Sequence, residues 1–534
     1  MSGWMQHLVV APIVVPMIAG AAMILAGDRR RRLTAAIGLL STLTLVVLAT
    51  ILIGIADGPA VHVYRLGNWP SLFGIVLVLD RLSAVMLALA ALLGFAAFLF
   101  SMGRWERAGV HFHPLFQFQL MGLNGAFLTG DLFNLFVFFE VMLAASYGMA
   151  LHGSGVARVR AGMHYIVVNL VASLLFLVGV SVVYGVAGTL NMAELAHRMR
   201  GVTPHDRGLL ETGLAVLGIA FLVKAAMWPL GFWLPPTYAA ATTPAAAILS
   251  ILSKVGIYAV LRVWLLLFGA AAGPSAGFGE AWLLIGGLLT IAFGSIAVLA
   301  TQNLPRLAGA SVMISSGTLL AAIGAGQAAV TGGALLYLVS SVLSIGAFFL
   351  LIELVERGRE VGADVLAVSR EAFGAGEEEE EIDEQEVVGV AIPGTVAILG
   401  FAFMACAVLL AGLPPLSGFL AKFAILSTLL ASGGTGVPAT SWVLMAALIL
   451  SGFATVVAML RTGIDVFWAS PATRAPRIGL IEILPVAMLL LLCVALTVGA
   501  GPAMAYLQSA AERLHIPADY LQGVVSTPAG GPGR

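Results

Sequence analysis

The chain is predicted to be an all-α polytopic membrane protein with about fourteen transmembrane helices, and three observations predict it. Of its 534 residues 60% are apolar and only 10% are charged, whereas soluble domains carry about 25% charged residues. Apolar runs of spanning length recur from end to end. The basic residues between those runs fall mostly in alternate loops, as they do when one side of a membrane is favoured.

The runs lie near 7–26, 33–55, 75–101, 111–129, 131–150, 162–186, 210–240, 244–268, 281–300, 304–326, 331–355, 391–431, 441–460 and 480–506. The first has no basic flank before it and Arg29 to Arg32 after it. A secretory signal has the opposite order, so this run is expected to stay as a span with its N-terminus outside. Arg104, Arg107, Arg158, Arg160, Arg306, Arg357, Arg359, Arg370, Arg461, Arg474 and Arg477 then share the cytoplasmic side, and an even span count returns the C-terminus outside. The fourth and fifth spans are separated only by Thr129-Gly130-Asp131. Residues 356–390 contain "GEEEEEIDEQE", read as a solvated cytoplasmic loop because like charges repel and little can be buried. The tail "PAMAYLQSAAERLHIPADYLQGVV" reads as a short amphipathic segment at the outer interface.

Charge inside the spans is rare and uneven. The 26 basic residues include three lysines, Lys224, Lys254 and Lys422, and all three fall inside spans, where, apart from Arg306 at the cytoplasmic edge of the tenth, only Arg81 and Arg262 join them. Arginine stays protonated, whereas a desolvated lysine can release its proton, so these positions call for a titratable base. Lys254 is about 15 Å into its span, and Glu140 is at similar depth in the fifth. Four unpaired central charges would cost about 10 kcal/mol, so they must face a polar interior or one another. A Glu–Lys pair at about 4 Å is worth ~4 kcal/mol at an effective dielectric of ~20, enough to decide whether a lysine keeps its proton. Snorkelling or inert ion pairing is the competing explanation, and it suits Arg262, near the outer end of its span, and the adjacent Asp80–Arg81 pair.

Prolines accompany two of the lysines. "FLVKAAMWPLGFWLP" places Pro229 five residues after Lys224, and "LAGLPPLSGFLAKFAIL" places Pro414 and Pro415 before Lys422. Proline removes a backbone donor, so spans seven and twelve are expected to be discontinuous. Their five-span offset reverses membrane direction, the pattern of inverted repeats that place their sites at broken helices. Ser250, Ser253, Ser315 and Ser344 are candidate linings of a water path, though small hydroxyl residues also mediate helix packing. His111, His113 and His164 are expected near the cytoplasmic surface. No phosphate-binding P-loop occurs, and no Cys or His spacing suits haem, iron–sulfur or zinc, so neither a cofactor nor a metal site is expected. Cys406 and Cys493 lie in apolar runs and offer no disulfide framework. The net charge of −1 gives no reason to expect a nucleic-acid partner.

"DLFNLFVFFEVML" with Glu140, "LVKAAMWPLGFWLPPTYAAATTPAAAILSILSKVGIYAVLRV" with Lys224 and Lys254, and "GLPPLSGFLAKF" with Lys422 resemble one family. It comprises the antiporter-like membrane subunits of respiratory complex I and the Mrp (or Pha) cation/proton antiporters. The length, Lys422 and the acidic insertion resemble its D-type branch, while "TQNLPRLAGAS" (301–311) lacks an aspartate and lysine present in many relatives. The resemblance implies a Glu140–Lys224 switch, Lys254 as central relay and Lys422 exchanging protons with the other half-channel. It implies helices 1–3 over 1–110, inverted repeats over 111–268 and 281–460, and a final helix and tail over 461–534. It also implies a secondary transporter component, not an enzyme, in a bacterial inner membrane. Such a component would work with A, B, C, E, F and G type partners to exchange H⁺ for Na⁺ or K⁺. The alternative is a proton-pumping member of a respiratory or membrane hydrogenase complex.

Overall fold

A computed structural model describes residues 5–27, 30–70, 74–105, 111–357, 393–431, 437–467 and 478–525. The acidic loop lies almost wholly outside them. The described residues form twenty α-helices and one two-stranded hairpin. In chain order the helices are α1 (Ala11–Ala26), α2 (Arg31–Ala56), α3 (Arg81–Arg104), α4 (Phe112–Leu128), α5 (Leu132–Ala150), α6 (Val156–Ala187) and α7 (Met192–Met199). They continue with α8 (Pro204–Lys224), α9 (Leu234–Ala240), α10 (Thr243–Leu249), α11 (Leu252–Phe268), α12 (Glu280–Ala300), α13 (Leu304–Gly324) and α14 (Ala328–Glu356). The last are α15 (Gly394–Ala411), α16 (Ser417–Ala431), α17 (Ala439–Phe467), α18 (Leu480–Val498), α19 (Ala500–His515) and α20 (Ala518–Val525).

Every expected span falls on a helix or a broken pair of helices. Eleven segments of the described residues are individually long and apolar enough to cross a membrane, with α10 and α11 forming one of them. The protein is therefore a multi-pass membrane protein. Its exterior fits that setting: large apolar side chains such as Leu25, Leu174, Trp282, Phe401 and Phe453 are exposed, as lipid contact requires. Helix α11 is wholly buried, and α13 and α14 nearly so, which puts their polar side chains at the centre of the molecule.

Three local features differ from the sequence reading. Residues 76–79, read as the start of the third span, form strand β2 (Val76–Leu79), paired antiparallel with β1 (His62–Arg65). The helix waits for Asp80, whose carboxylate caps it by accepting from the Ser83 N–H at 2.9 Å. The eighth span is also discontinuous, although it holds no internal proline: Ser250 and Ile251 separate α10 from α11. There the hydroxyls of Ser250 and Ser253 donate to the carbonyls of Ala247 and Ser250, competing with the helix for its own acceptors. The last span ends at Val498, and residues 500–506 begin a separate helix. Helices α19 and α20 form the amphipathic tail and cover the starts of α3 and α14 and the end of α11. This is the face opposite Arg31 and Arg32.

Candidate functional site

Lys224 is the last residue of α8. Beyond it the chain leaves the helix through Ala226, at φ 58°, and resumes a helical path at Leu234. Pro229 supplies no N–H in this gap. The released carbonyl of Val223 accepts instead from the Ala226 N–H at 3.1 Å and from Trp233 Nε1 at 3.2 Å. A lysine at a helix C-terminus faces the negative end of the helix dipole, which favours its charge. The side chain is buried, its Nζ has no hydrogen-bond partner among the described residues, and it lies 5.2 Å from the centroid of the Phe139 ring.

Glu140 follows Phe139 on α5, but it does not close an ion pair with Lys224. Its carboxylate accepts a hydrogen bond from the Ser173 hydroxyl on α6. Glu140 is also only half-buried. It belongs to a stripe of α5 in which Phe133, Val137 and Ala144 are exposed, so the carboxylate stands at the edge of the molecule. The two members of the switch implied by resemblance are thus near one another but out of direct contact.

Lys254 lies just past the α10–α11 break and is wholly inaccessible. Gly256 allows its helix to approach α8, since a Cβ there would stand 2.5 Å from the Ala225 nitrogen. Lys254 Nζ donates to Ser316 Oγ of α13 at 3.3 Å. From that point hydroxyls continue across the core. Ser315 donates to Ser341 of α14 at 3.0 Å, and Ser340 lies 2.9 Å from Ser417 at the start of α16. Ser311, Tyr337, Ser340, Ser341, Ser344 and Thr455 line a narrow cavity between these helices, with free space on the scale of one water molecule. Ser315 and Ser344 thus belong to a polar track, while Ser250 and Ser253 bond to backbone carbonyls at the α10–α11 break. Ser316, Ser341 and Ser417 are members that hydroxyl-rich helix patterns signal only weakly.

Lys422, on α16, ends the row. Its Nζ donates to the Ala411 carbonyl at 2.9 Å, reaching across the 412–416 break to the C-terminus of α15. Pro414 and Pro415 occupy that break, and its two prolines, like Trp228 and Pro229, are joined by a cis peptide bond. The lysines sit differently on their breaks: Lys224 precedes Pro229, whereas Lys422 follows Pro415.

The remaining buried charges correct two expectations. Arg262 does not snorkel, and Asp80 does not compensate Arg81. Asp80 binds Arg262 through both carboxylate oxygens, at 2.5 and 2.8 Å, while Arg81 pairs with Asp57 at 2.8 Å. Capping α3 turns the Asp80 carboxylate off the helix start, where α11 can reach it. His113 is buried against Phe98 and Phe112 and is not interfacial, whereas His164 is exposed. Among the described residues no three His, Cys, Asp or Glu side chains gather as a metal site.

A family model described as "NADH:quinone oxidoreductase/Mrp antiporter, TM" matches residues 129–453, which include all three lysines and Glu140. A Rhizobium meliloti (strain 1021) protein, named as the probable D-type component of a K(+)/H(+) antiporter, is 57% identical over 99% of this chain and 100% of its own length. The D-type component of the Na(+)/H(+) antiporter of Alkalihalophilus pseudofirmus is 30% identical over 98% of this chain and 100% of its own. Among solved structures, a chain of the Mrp complex from Dietzia sp. DQ12-45-1b superposes with a TM-score of 0.80 at 25% identity, covering 98% of this chain and 100% of that one. A chain of respiratory complex I from Thermus thermophilus shares the fold, with a TM-score of 0.74 at 21% identity over 98% and 100% of the two chains. The chain belongs to the NADH:quinone oxidoreductase/Mrp antiporter family of membrane proteins.

Proposed function

We propose that the chain is the D-type, proton-translocating subunit of a multisubunit antiporter that exchanges H⁺ for K⁺ or Na⁺ across a bacterial inner membrane. Its relatives' names supply the ions, and the 57%-identical protein favours K⁺. The observation that carries the mechanism is the row of buried lysines, in which Lys254 contacts a serine track and Lys422 shares a helix with Ser417, the last serine of that track. Glu140 takes up or releases a proton at the molecular edge, and its charge sets whether Lys224 holds one. Lys254 passes the proton along the hydroxyls, and Lys422 delivers it. Residues 111–268 and 281–460 act as two half-channels of opposite orientation, with both chain termini outside. No redox step occurs in this chain; cation exchange is completed by the other subunits.

Lys224→Arg tests this reading in inverted vesicles that contain the complete complex. Arginine keeps the charge and forbids deprotonation, so proton flux driven by Na⁺ or K⁺ should fall to background while assembly persists. Wild-type flux would refute a relay through Lys224. Titrating the two cations separately assigns the ion.

A further inference from the structure

Arg262 stands eight residues beyond Lys254 on α11 and carries a buried charge that the relay does not use. It lies about 12 Å closer to the tail-covered face. Tyr258 stands one turn from each of them. The Tyr258 hydroxyl donates to the Phe127 carbonyl at 2.7 Å and accepts from Arg262 Nε and Nη2 at 3.4 Å. The guanidinium is bidentate on Asp80 and donates to Ser83 Oγ at 3.1 Å. The rings of Tyr258 and Tyr520 lie against it, with centroids at 5.5 and 5.2 Å. Directly beyond opens a small cleft of about 30 Å³, lined in part by Asp80, Arg81, Arg513, Asp519 and Tyr520.

We infer that the Asp80–Arg262 pair is an electrostatic seal: it closes the direct route from Lys254 to the tail-covered face, so that the proton passes sideways to Lys422. This rests on the relay reading above. Proton hopping requires groups that both accept and donate, and a guanidinium has five donors and no acceptor. Both Asp80 oxygens are occupied by Arg262, and one also accepts from the Ser83 N–H, so the carboxylate has no free place in a chain of hops. Around the cleft the other charges are matched, with Arg81 held by Asp57 at 2.8 Å and Arg513 facing the same space as Asp519, so the exclusion rests on the Arg262 guanidinium. Arginine excludes protons from narrow pores on the same principle. A merely structural pair would tie α3 to α11 and do nothing else.

The discriminating measurement is passive proton leak. The complete complex is reconstituted in liposomes free of Na⁺ and K⁺, with thiocyanate for charge balance, and the decay of an imposed pH gradient is followed. Arg262→Lys keeps a positive charge opposite Asp80 but introduces a group able to release its proton, and Arg262→Gln removes the charge. Both should speed the decay about tenfold, equivalent to a barrier about 1.4 kcal/mol lower. Adding Lys254→Arg should restore the wild-type rate, because the leak runs through Lys254. A tight Arg262→Lys complex overturns the seal, as does a leak that survives Lys254→Arg and so reflects loosened packing. Should the Arg262 variants fail to assemble, Asp80→Asn, which keeps the cap on the Ser83 N–H but breaks the charge pair, is read identically. Undiminished cation-driven flux in Lys254→Arg alone would overturn the relay, a separate failure from a tight Arg262→Lys.

Discussion

Gly412→Ala perturbs Lys422 without touching a charge. Gly412 caps α15 at φ 75°, and its N–H bonds to the Val408 carbonyl at 3.0 Å. An L-residue in that left-handed conformation costs about 1–2 kcal/mol. The new Cβ would lie 2.6 Å from Lys422 Cδ and 3.2 Å from its Nζ, an overpacking that costs about 1–3 kcal/mol. If the side chain swings away instead, its bond to the Ala411 carbonyl breaks, a loss of about 1.5–3 kcal/mol for a charged donor. At ~1.36 kcal/mol per decade, cation-driven proton flux should fall by about 10- to 100-fold. The assay is flux in inverted vesicles, normalised to assembled complex. Gly54→Ala on α2 is the control, since nothing lies within 4 Å of its would-be Cβ, and it should behave as wild type. Full flux in assembled Gly412→Ala would refute the claim that proton transfer depends on where Lys422 is held.

Three further outcomes are expected. Glu140→Gln keeps an acceptor for Ser173 but removes the charge, so flux should drop at least about tenfold with assembly intact; wild-type flux would exclude Glu140 from the mechanism. Ser316→Ala removes the partner of Lys254 Nζ, a loss of about 1–3 kcal/mol, and should slow flux about tenfold, whereas Ser295→Ala, whose hydroxyl bonds to the Ile291 carbonyl of its own helix α12, should not; equal effects would contradict the track. His515, in the tail, lies 3.1 Å from the Thr331 hydroxyl, and burial holds its pKa below the ordinary 6.5. The docked tail therefore favours neutral His515. Its contribution to docking is complete above pH 6.5 and is lost as pH falls through the lowered folded-state value. Amide exchange over 500–525 should accelerate on acidification, and His515→Gln should flatten that response; a tail equally protected at both pH values would contradict it.

The spans were legible because a membrane demands long apolar helices, and Pro229 and Pro415 announce their breaks by chemistry alone. The lysines stood out because arginine supplies nearly every other cation. What stayed hidden was partnership over distance. Nothing near Asp80 points to a residue 182 positions away, and its helix-capping geometry, which selects Arg262 over Arg81, exists only once β2 has ended. The α10–α11 break was hidden because its cause is a pair of serine hydroxyls that elsewhere sit quietly in helices. The orientation of α5 was hidden for a different reason. In lipid both faces of a helix are apolar, so the periodicity that reveals a buried face in water disappears. Phe133, Val137, Glu140 and Ala144 form a stripe that is visible only in three dimensions.

That stripe makes the lone chain an incomplete object. A carboxylate on an outward-facing strip of a membrane helix is poorly tolerated by lipid, at about 2.5–3.5 kcal/mol for a central acidic charge. An orphan copy would carry that cost with only the Ser173 hydroxyl on its carboxylate. Only a neighbour that covers the strip with polar atoms relieves this. The strip on α5 is therefore where a partner subunit is expected to sit, so the chain's membrane surface is finished only by its assembly.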